Sequence, residues 1–146
     1  MSLSQELDKE IQASLHGKSN VIPFPYARVN DYVDIAKNTM YSVAGETGVG
    51  KSTIAVDAFL INPIMWYLEN KNENIKLSVI YLSMERKLYM TTSRIISRLI
   101  WMEQGIDIPP KKILGRKEGY KLTEEEYKLV QEYYKQIDEW EKDDLS

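Results

Sequence analysis

The chain has no cysteine among its 146 residues. That excludes a disulfide framework and any thiolate metal site, and it accords with a reducing compartment. Histidine is nearly absent: the only one, His16, follows a short helical pattern just before Gly17 and reads as a surface or cap residue, not a ligand or base. There is no excess of positive charge. Nineteen Lys and Arg against 22 Asp and Glu give a net charge of −3, which argues against a wholly basic nucleic-acid-coating surface while leaving room for a local patch. No apolar run approaches the length of a membrane span, and the opening Met1-Ser2-Leu3-Ser4 lacks the basic-then-apolar layout of a signal peptide. The expected location is therefore cytoplasmic, with no membrane partner. What remains is ordinary for a globular chain, 43% hydrophobic and 28% charged, with length enough for the core of one domain or part of one.

Against this plain background one stretch stands out. Gly45-Glu46-Thr47-Gly48-Val49-Gly50-Lys51-Ser52 matches the phosphate-loop pattern G-x-x-x-x-G-K-[ST] at every fixed position. The glycines permit backbone angles and close approaches that a Cβ would block, so successive N–H groups can curl around a polyphosphate. The pattern expects Lys51 to reach the β- and γ-phosphates of ATP and the Ser52 hydroxyl to ligate Mg²⁺. Gly45 through Thr53 is the candidate binding segment, and Lys51 is also a candidate catalytic residue. The flanks agree with the motif: residues 40–44 read as a short strand, and Ser52 to about Ile61 as a helix whose N-terminus would aim its free N–H groups at the phosphates.

The rest of the chain is expected to alternate helices with strand-like runs. Leu3, Leu7, Ile11 and Leu15 recur every four residues, predicting a short amphipathic helix that packs on its own domain or on a neighbouring subunit. Pro23 and Pro25 make residues 17–30 an extended linker, and residues 30–36 a helix or turn before the first strand. Asn62-Pro63 signals a break or kink in the helix after the phosphate loop, with residues 64–68 as its candidate extension. Residues 76–83 read as a second, buried parallel strand. Leu88 to Gln104 is a helix closed by Gly105, with apolar Leu88, Ile95, Ile96, Leu99 and Ile100. Lys111, Lys112, Arg116, Lys117 and Lys121 form a small basic cluster, read as a solvated loop. Thr123 and Glu126 form a capping box opening a helix to about Lys142, with Tyr127, Val130, Tyr134 and Ile137 on one face, joined by Tyr133 and Trp140.

Ser83-Met84-Glu85, followed by Arg94, resembles the strand-end signature of DnaB-type replicative helicases, a branch of the RecA-like ATPases. The resemblance gives Glu85 the role of polarising the water that attacks the γ-phosphate, with Arg94 structural or at a subunit contact. It runs on through Gly105-Ile106-Asp107, Ile113-Leu114-Gly115 and Leu122-Thr123, and upstream through Val21-Ile22-Pro23. It implies an α/β P-loop NTPase fold, RecA-like, with an incomplete parallel sheet flanked by helices. Residues 1–16 would be a linker helix, 17–37 an extended connector and 38–146 the N-terminal part of the ATPase domain. The function implied is ATP-dependent translocation on single-stranded DNA by a homo-oligomer, a hexamer in full length, with a primase or loader as further partners. Recombinase-type and clock-type ATPases share the same glutamate. The family's next strand, ending in the Walker B aspartate, and its DNA-binding loops are not in this sequence, Glu85 as the Walker B acid itself being the lower-ranked alternative, and the interval from Lys51 to Glu85 looks longer than usual. The chain alone is therefore expected to be inactive in hydrolysis, or to be a nucleotide-binding or oligomerisation piece, and its unpaired strand edges imply weak independent stability, rescue by self-association, or a rearranged sheet.

Overall fold

The computed structural model describes residues 2–17, 20–70, 75–84, 86–116 and 118–142. The chain divides into two compact units, Met1–Leu77 and Ser78–Ser146.

In the first unit, α1 spans Leu3–Leu15. Ser2 opens it with a capping box: its hydroxyl accepts from Gln5 N at 3.4 Å, and the Gln5 side chain accepts from Ser2 N at 2.9 Å. No residue of α1 is buried, so the predicted helix forms while its apolar stripe stays open to solvent. The chain then makes two three-residue strands, β1 (Val21–Pro23) and β2 (Asp34–Ala36), joined through a helical turn, α2 (Ala27–Asn30). They pair antiparallel, Val21 with Ala36, Ile22 with Ile35 and Pro23 with Asp34. Pro23 has no N–H to give a ladder, and its place at the strand's end, with its carbonyl accepting from the Asn62 side chain at 3.0 Å, suits that deficit. After the phosphate loop a continuous helical run follows: α3 (Lys51–Val56), a π-helical turn (Asp57–Ile61) and α4 (Asn62–Asn70). Of the expected break or kink at Asn62-Pro63, no break occurs, and the helix extends through residues 64–68. Pro63 cannot donate to a carbonyl one turn back and its ring would press on it, and the wide turn just before it, with Asn62 N bonded to Asp57 O five residues earlier, makes the space. Ile22, Val56, Ala58, Ile61, Ile64 and Ile75 form the core of this unit.

In the second unit three helices pack together: α5 (Leu88–Gln104), α6 (Pro110–Ile113) and α7 (Glu124–Lys142). Gly105, at φ +67°, closes α5 as a left-handed cap whose N–H bonds Trp101 O at 3.0 Å. Thr123 opens α7 as predicted, its hydroxyl accepting from Glu126 N at 3.2 Å while the Glu126 carboxylate accepts from Thr123 N at 2.9 Å. Glu126 also takes the Lys112 ammonium at 2.7 Å, which ties α6 to the start of α7. That bond first, and the Thr123 amide second, hold the Glu126 carboxyl below its ordinary value, so the stabilisation is present above the carboxylate range and lost in acid. Ile96, Leu99, Ile100, Ile108 and Val130 are fully buried. On α7 the buried side chains are Val130 and Tyr133, while Tyr127 and Tyr134 are half exposed. The aromatic stripe is thus rotated from the expected face, because Tyr133 has a specific partner: its hydroxyl donates to Glu103 Oε2 at 2.6 Å.

The expected fold class is overturned. The chain is mostly helical, and among the described residues the only sheet is the antiparallel pair β1–β2, not a RecA-like parallel sheet flanked by helices. Residues 40–44 and 76–83, expected as parallel strands, lie outside any ladder. The physical reason is pairing: a strand forms only where a second strand takes its N–H and C=O groups, and no described segment does so for either run.

Burial, and then donation to Glu103, push the Tyr133 hydroxyl up to about 12 from its ordinary value of 10.0. A raised acid stabilises the fold fully below the unfolded value and loses that contribution as pH climbs to the folded one. Stability of the second unit is therefore expected to fall between about pH 10 and about pH 12. Tyr133→Phe should lose about 1–2 kcal/mol at neutral pH and lack this alkaline component, as read by denaturant melts across that range.

Candidate functional site

The phosphate-loop residues sit between Tyr41 and the start of α3, and both ends of the loop are anchored. On the entry side, the Tyr41 hydroxyl accepts from Ala36 N at 2.9 Å and donates to Asp34 O, so one side chain spans both ends of β2. Its ring packs on Phe59 at 5.3 Å between centroids, and Phe59 meets Phe24 edge-on at 5.8 Å. Phe24 in turn meets Tyr26 at 5.6 Å, and Tyr26 donates to the buried Asp57 carboxylate at 2.8 Å. The loop's entry, the β1–β2 pair and the π-helical turn on the exit side are thereby held in one aromatic cluster. Nothing in the motif's pattern signals this cluster; the signal in the sequence was the run of aromatics at 24, 26, 41 and 59.

Within the loop, Gly48 and Gly50 adopt φ of +87° and +93°, left-handed values that side-chain-bearing residues rarely take. At Gly45 the constraint is of a different kind: a Cβ there would meet Val49 Cγ2 at 2.9 Å, so the Val49 side chain would have to shift. Gly50 is the N-cap of α3. The Lys51 ammonium folds back and donates to the carbonyls of Gly45 and of Glu46, the latter at 2.9 Å. Lysine and backbone thus close a ring that begins and ends at the loop's two borders. The structure brings Gly45, Glu46 and Lys51 together, with Thr47, Gly48 and Val49 as the exposed outer arc and Ser52 and Thr53 exposed on the first turn of α3.

This arrangement suits a polyanion. An ammonium already held at the loop by two neutral carbonyls exchanges them for charged oxygens at little conformational cost, and charge-assisted bonds are roughly twice as strong as neutral ones. A Cβ at Gly45 or a right-handed backbone at 48 and 50 would fill or flatten the cradle. The Ser52 hydroxyl, exposed beside it, is free to face a phosphate-bound Mg²⁺. These residues fit both ATP and its metal.

Of the other sequence candidates, Glu85 lies outside the described residues. Arg94 stands on α5 in the second unit. Its guanidinium is held below its ordinary value by partial burial first and by the nearby Arg86 charge second, opposed by Tyr81. The basic cluster around residue 112 is not simply solvated: besides the Lys112–Glu126 pair, Arg116 donates to the Tyr89 hydroxyl at 2.9 Å and lies over that ring. An open, largely apolar groove of about 390 Å³ runs beside it between α5, α6 and α7, bounded by Leu88, Tyr89, Ile96, Ile113 and Tyr134. Among the described residues no three His, Asp or Glu side chains gather as a metal cluster, and no helix is long and apolar enough to cross a membrane.

No family model, curated protein or solved structure matches the chain.

Tyr41→Phe removes both hydroxyl contacts to β2 and leaves the Ala36 N–H without its partner. It should destabilise the first unit by about 1–3 kcal/mol in thermal or denaturant melts. Gly50→Ala, which forces an L side chain to φ near +93°, should lower stability by roughly 1 kcal/mol or more by the same assay.

Proposed function

We propose that residues 45–53 bind the polyphosphate of a nucleoside triphosphate, ATP with Mg²⁺. The observation that carries this reading is the closed ring of loop backbone and Lys51, with two left-handed glycines and a third that a Cβ would block. Lys51 would leave the carbonyls of Gly45 and Glu46 for the β- and γ-phosphate oxygens, the amides of residues 46–51 would line the remaining oxygens, and Ser52 would hold the metal. The nucleotide supplies the phosphoanhydride. The chain's own part is to hold and orient it.

On the resemblance in Ser83-Met84-Glu85 and Arg94, this binding serves a DnaB-type replicative helicase that moves along single-stranded DNA as a homo-oligomer, Glu85 orienting the attacking water. That signature supports the motor reading; the fold of this chain does not. A second reading is a nucleotide-binding and oligomerisation piece without turnover, favoured by the lack of any apolar run ending in a Walker B acid. The two readings share an oligomer, and α1 supports it: Leu3, Leu7, Ile11 and Leu15 are 87%, 62%, 47% and 72% exposed along one stripe.

A fluorescent ATP analogue with Mg²⁺ should bind the wild-type chain, and Lys51→Ala should weaken it at least tenfold with unchanged circular dichroism, while Glu85→Gln should bind as wild type. Absence of binding by the wild-type chain, or binding indifferent to Lys51, would sink the nucleotide reading. Hydrolysis stimulated by single-stranded DNA and lost in Glu85→Gln would select the motor; binding without turnover would select the second reading. Leu7→Lys with Ile11→Lys should lower self-association by sedimentation while keeping the helix, since the Ser2–Gln5 capping box is untouched.

A further inference from the structure

Ser78-Val79-Ile80-Tyr81-Leu82-Ser83 reads alike in both directions by chemistry: a serine at each end, an aliphatic residue inside each serine, and Ile80-Tyr81 at the centre. No charge, glycine or proline interrupts it, and its β-branched, aromatic and aliphatic content is that of a strand. The structure leaves it outside any helix or strand ladder. Among the described residues no backbone N–H or C=O of the six is paired, so both of its edges are open; only the Ser83 hydroxyl is engaged, accepting from Arg86 N at 3.3 Å and donating to Arg86 O at 3.1 Å. Ile80 and Leu82 are 83% and 85% exposed, which is unusual for side chains of their size in a folded unit.

We propose that this segment is a strand-addition site for a second copy of this chain, pairing antiparallel with the same six residues. In the register the chemistry selects, Ser78 lies opposite Ser83 of the second copy, Val79 opposite Leu82, and Ile80 opposite Tyr81. Serine then meets serine, and apolar meets apolar, at every position, and the next pair outward, Leu77 with Met84, continues the match. A slip of one residue either way sets a serine against an apolar side chain. An unrelated strand could take the backbone groups equally well, but the second copy matches the side chains position by position. The segment also carries none of the charges that guard natural sheet edges against such pairing.

The register has a consequence for stoichiometry. Residues directly opposite in an antiparallel pair project to the same face. A closed two-fold would set a residue opposite itself; here Ile80 faces Tyr81 on one side of the ribbon and Tyr81 faces Ile80 on the other. The operation relating the copies is a flip combined with a step along the pairing direction. Each strand keeps a free edge, so the association does not stop at two.

The cysteine-free sequence makes the register directly testable. The full chain carrying Ser78→Cys and Ser83→Cys together, mildly oxidised at high concentration, should run as covalent dimers, bridged twice to one neighbour, and as larger multimers, bridged once to each of two, on a non-reducing gel. Either substitution alone should stay predominantly monomeric under the same treatment. Single variants that cross-link as readily as the double one, or a double variant that forms no covalent dimer or multimer, overturn the proposal. Separately, light scattering should show wild-type mass growing with concentration past the dimer. Ile80→Lys with Leu82→Lys should abolish that growth without changing the helical circular dichroism, leaving any association through α1 intact. A wild-type chain that never exceeds a dimer, or a lysine variant that grows like wild type, also overturns it.

Discussion

Every buried or structured peptide unit must place its N–H and its C=O, and a helix does this within itself whereas a strand needs a neighbour. This constraint shapes the whole chain. Where the sequence encodes helices with their own end caps, as in α1, α5 and α7, the backbone is satisfied locally and the helices form whatever surrounds them. Where it encodes strands, the outcome depends on what else is within reach. Among the described residues the one sheet formed is β1 with β2, over three residues each, and one outer edge of that pair is completed by a side chain, Tyr41, acting as a substitute strand.

The phosphate loop inherits its order from the same substitution. A glycine-rich loop has more conformational freedom to lose than any other segment, and loops of this kind are usually held by a sheet strand on one side. Here Tyr41 and the ring cluster of Phe24, Tyr26 and Phe59 do the holding on the entry side, and α3 does it on the exit side. Lys51 closes the loop from within. The loop can therefore keep a curled path without a parallel strand beneath it, because the aromatic contacts are made by side chains of the loop's immediate neighbours.

What could be read directly in the sequence was whatever depends on short-range chemistry. The capping boxes at Ser2 and Thr123, the stop at Gly105 and the glycines at 45, 48 and 50 all act within a few residues, and each stands where its local rule puts it. The sheet was misjudged because β-branched, aromatic-rich runs such as 76–83 state a preference for pairing and name no partner. Pro63 reads as a break, or as a kink with the helix extending beyond, and the structure extends the helix: the helix-breaking rule is correct for a regular α-helix, and a widened turn removes its premise. Tyr133 illustrates the remaining gap. Spacing puts Tyr127, Val130, Tyr134 and Ile137 on one face with Tyr133 joining it, and that Tyr133 is the tyrosine buried along with Val130 goes with its bond to Glu103 thirty residues away, a contact no local pattern encodes.

The widened turn at 57–61 also sets an angular phase. It winds one more residue into a turn than an α-helix would, so everything beyond it is rotated by roughly one residue's share of a turn, about 100°, from where an unbroken helix would carry it. Ile64 reaches the core, and the Asn62 amide reaches Pro23, only at that rotated setting. Losing a single residue from this stretch would leave composition and hydrophobicity almost unchanged, yet turn α4 away from the hairpin while the loop end of α3 stayed in place. The turn acts as a gear between the part of the helix that faces the phosphate loop and the part that faces the core, and its tooth count matters more than the identity of its teeth.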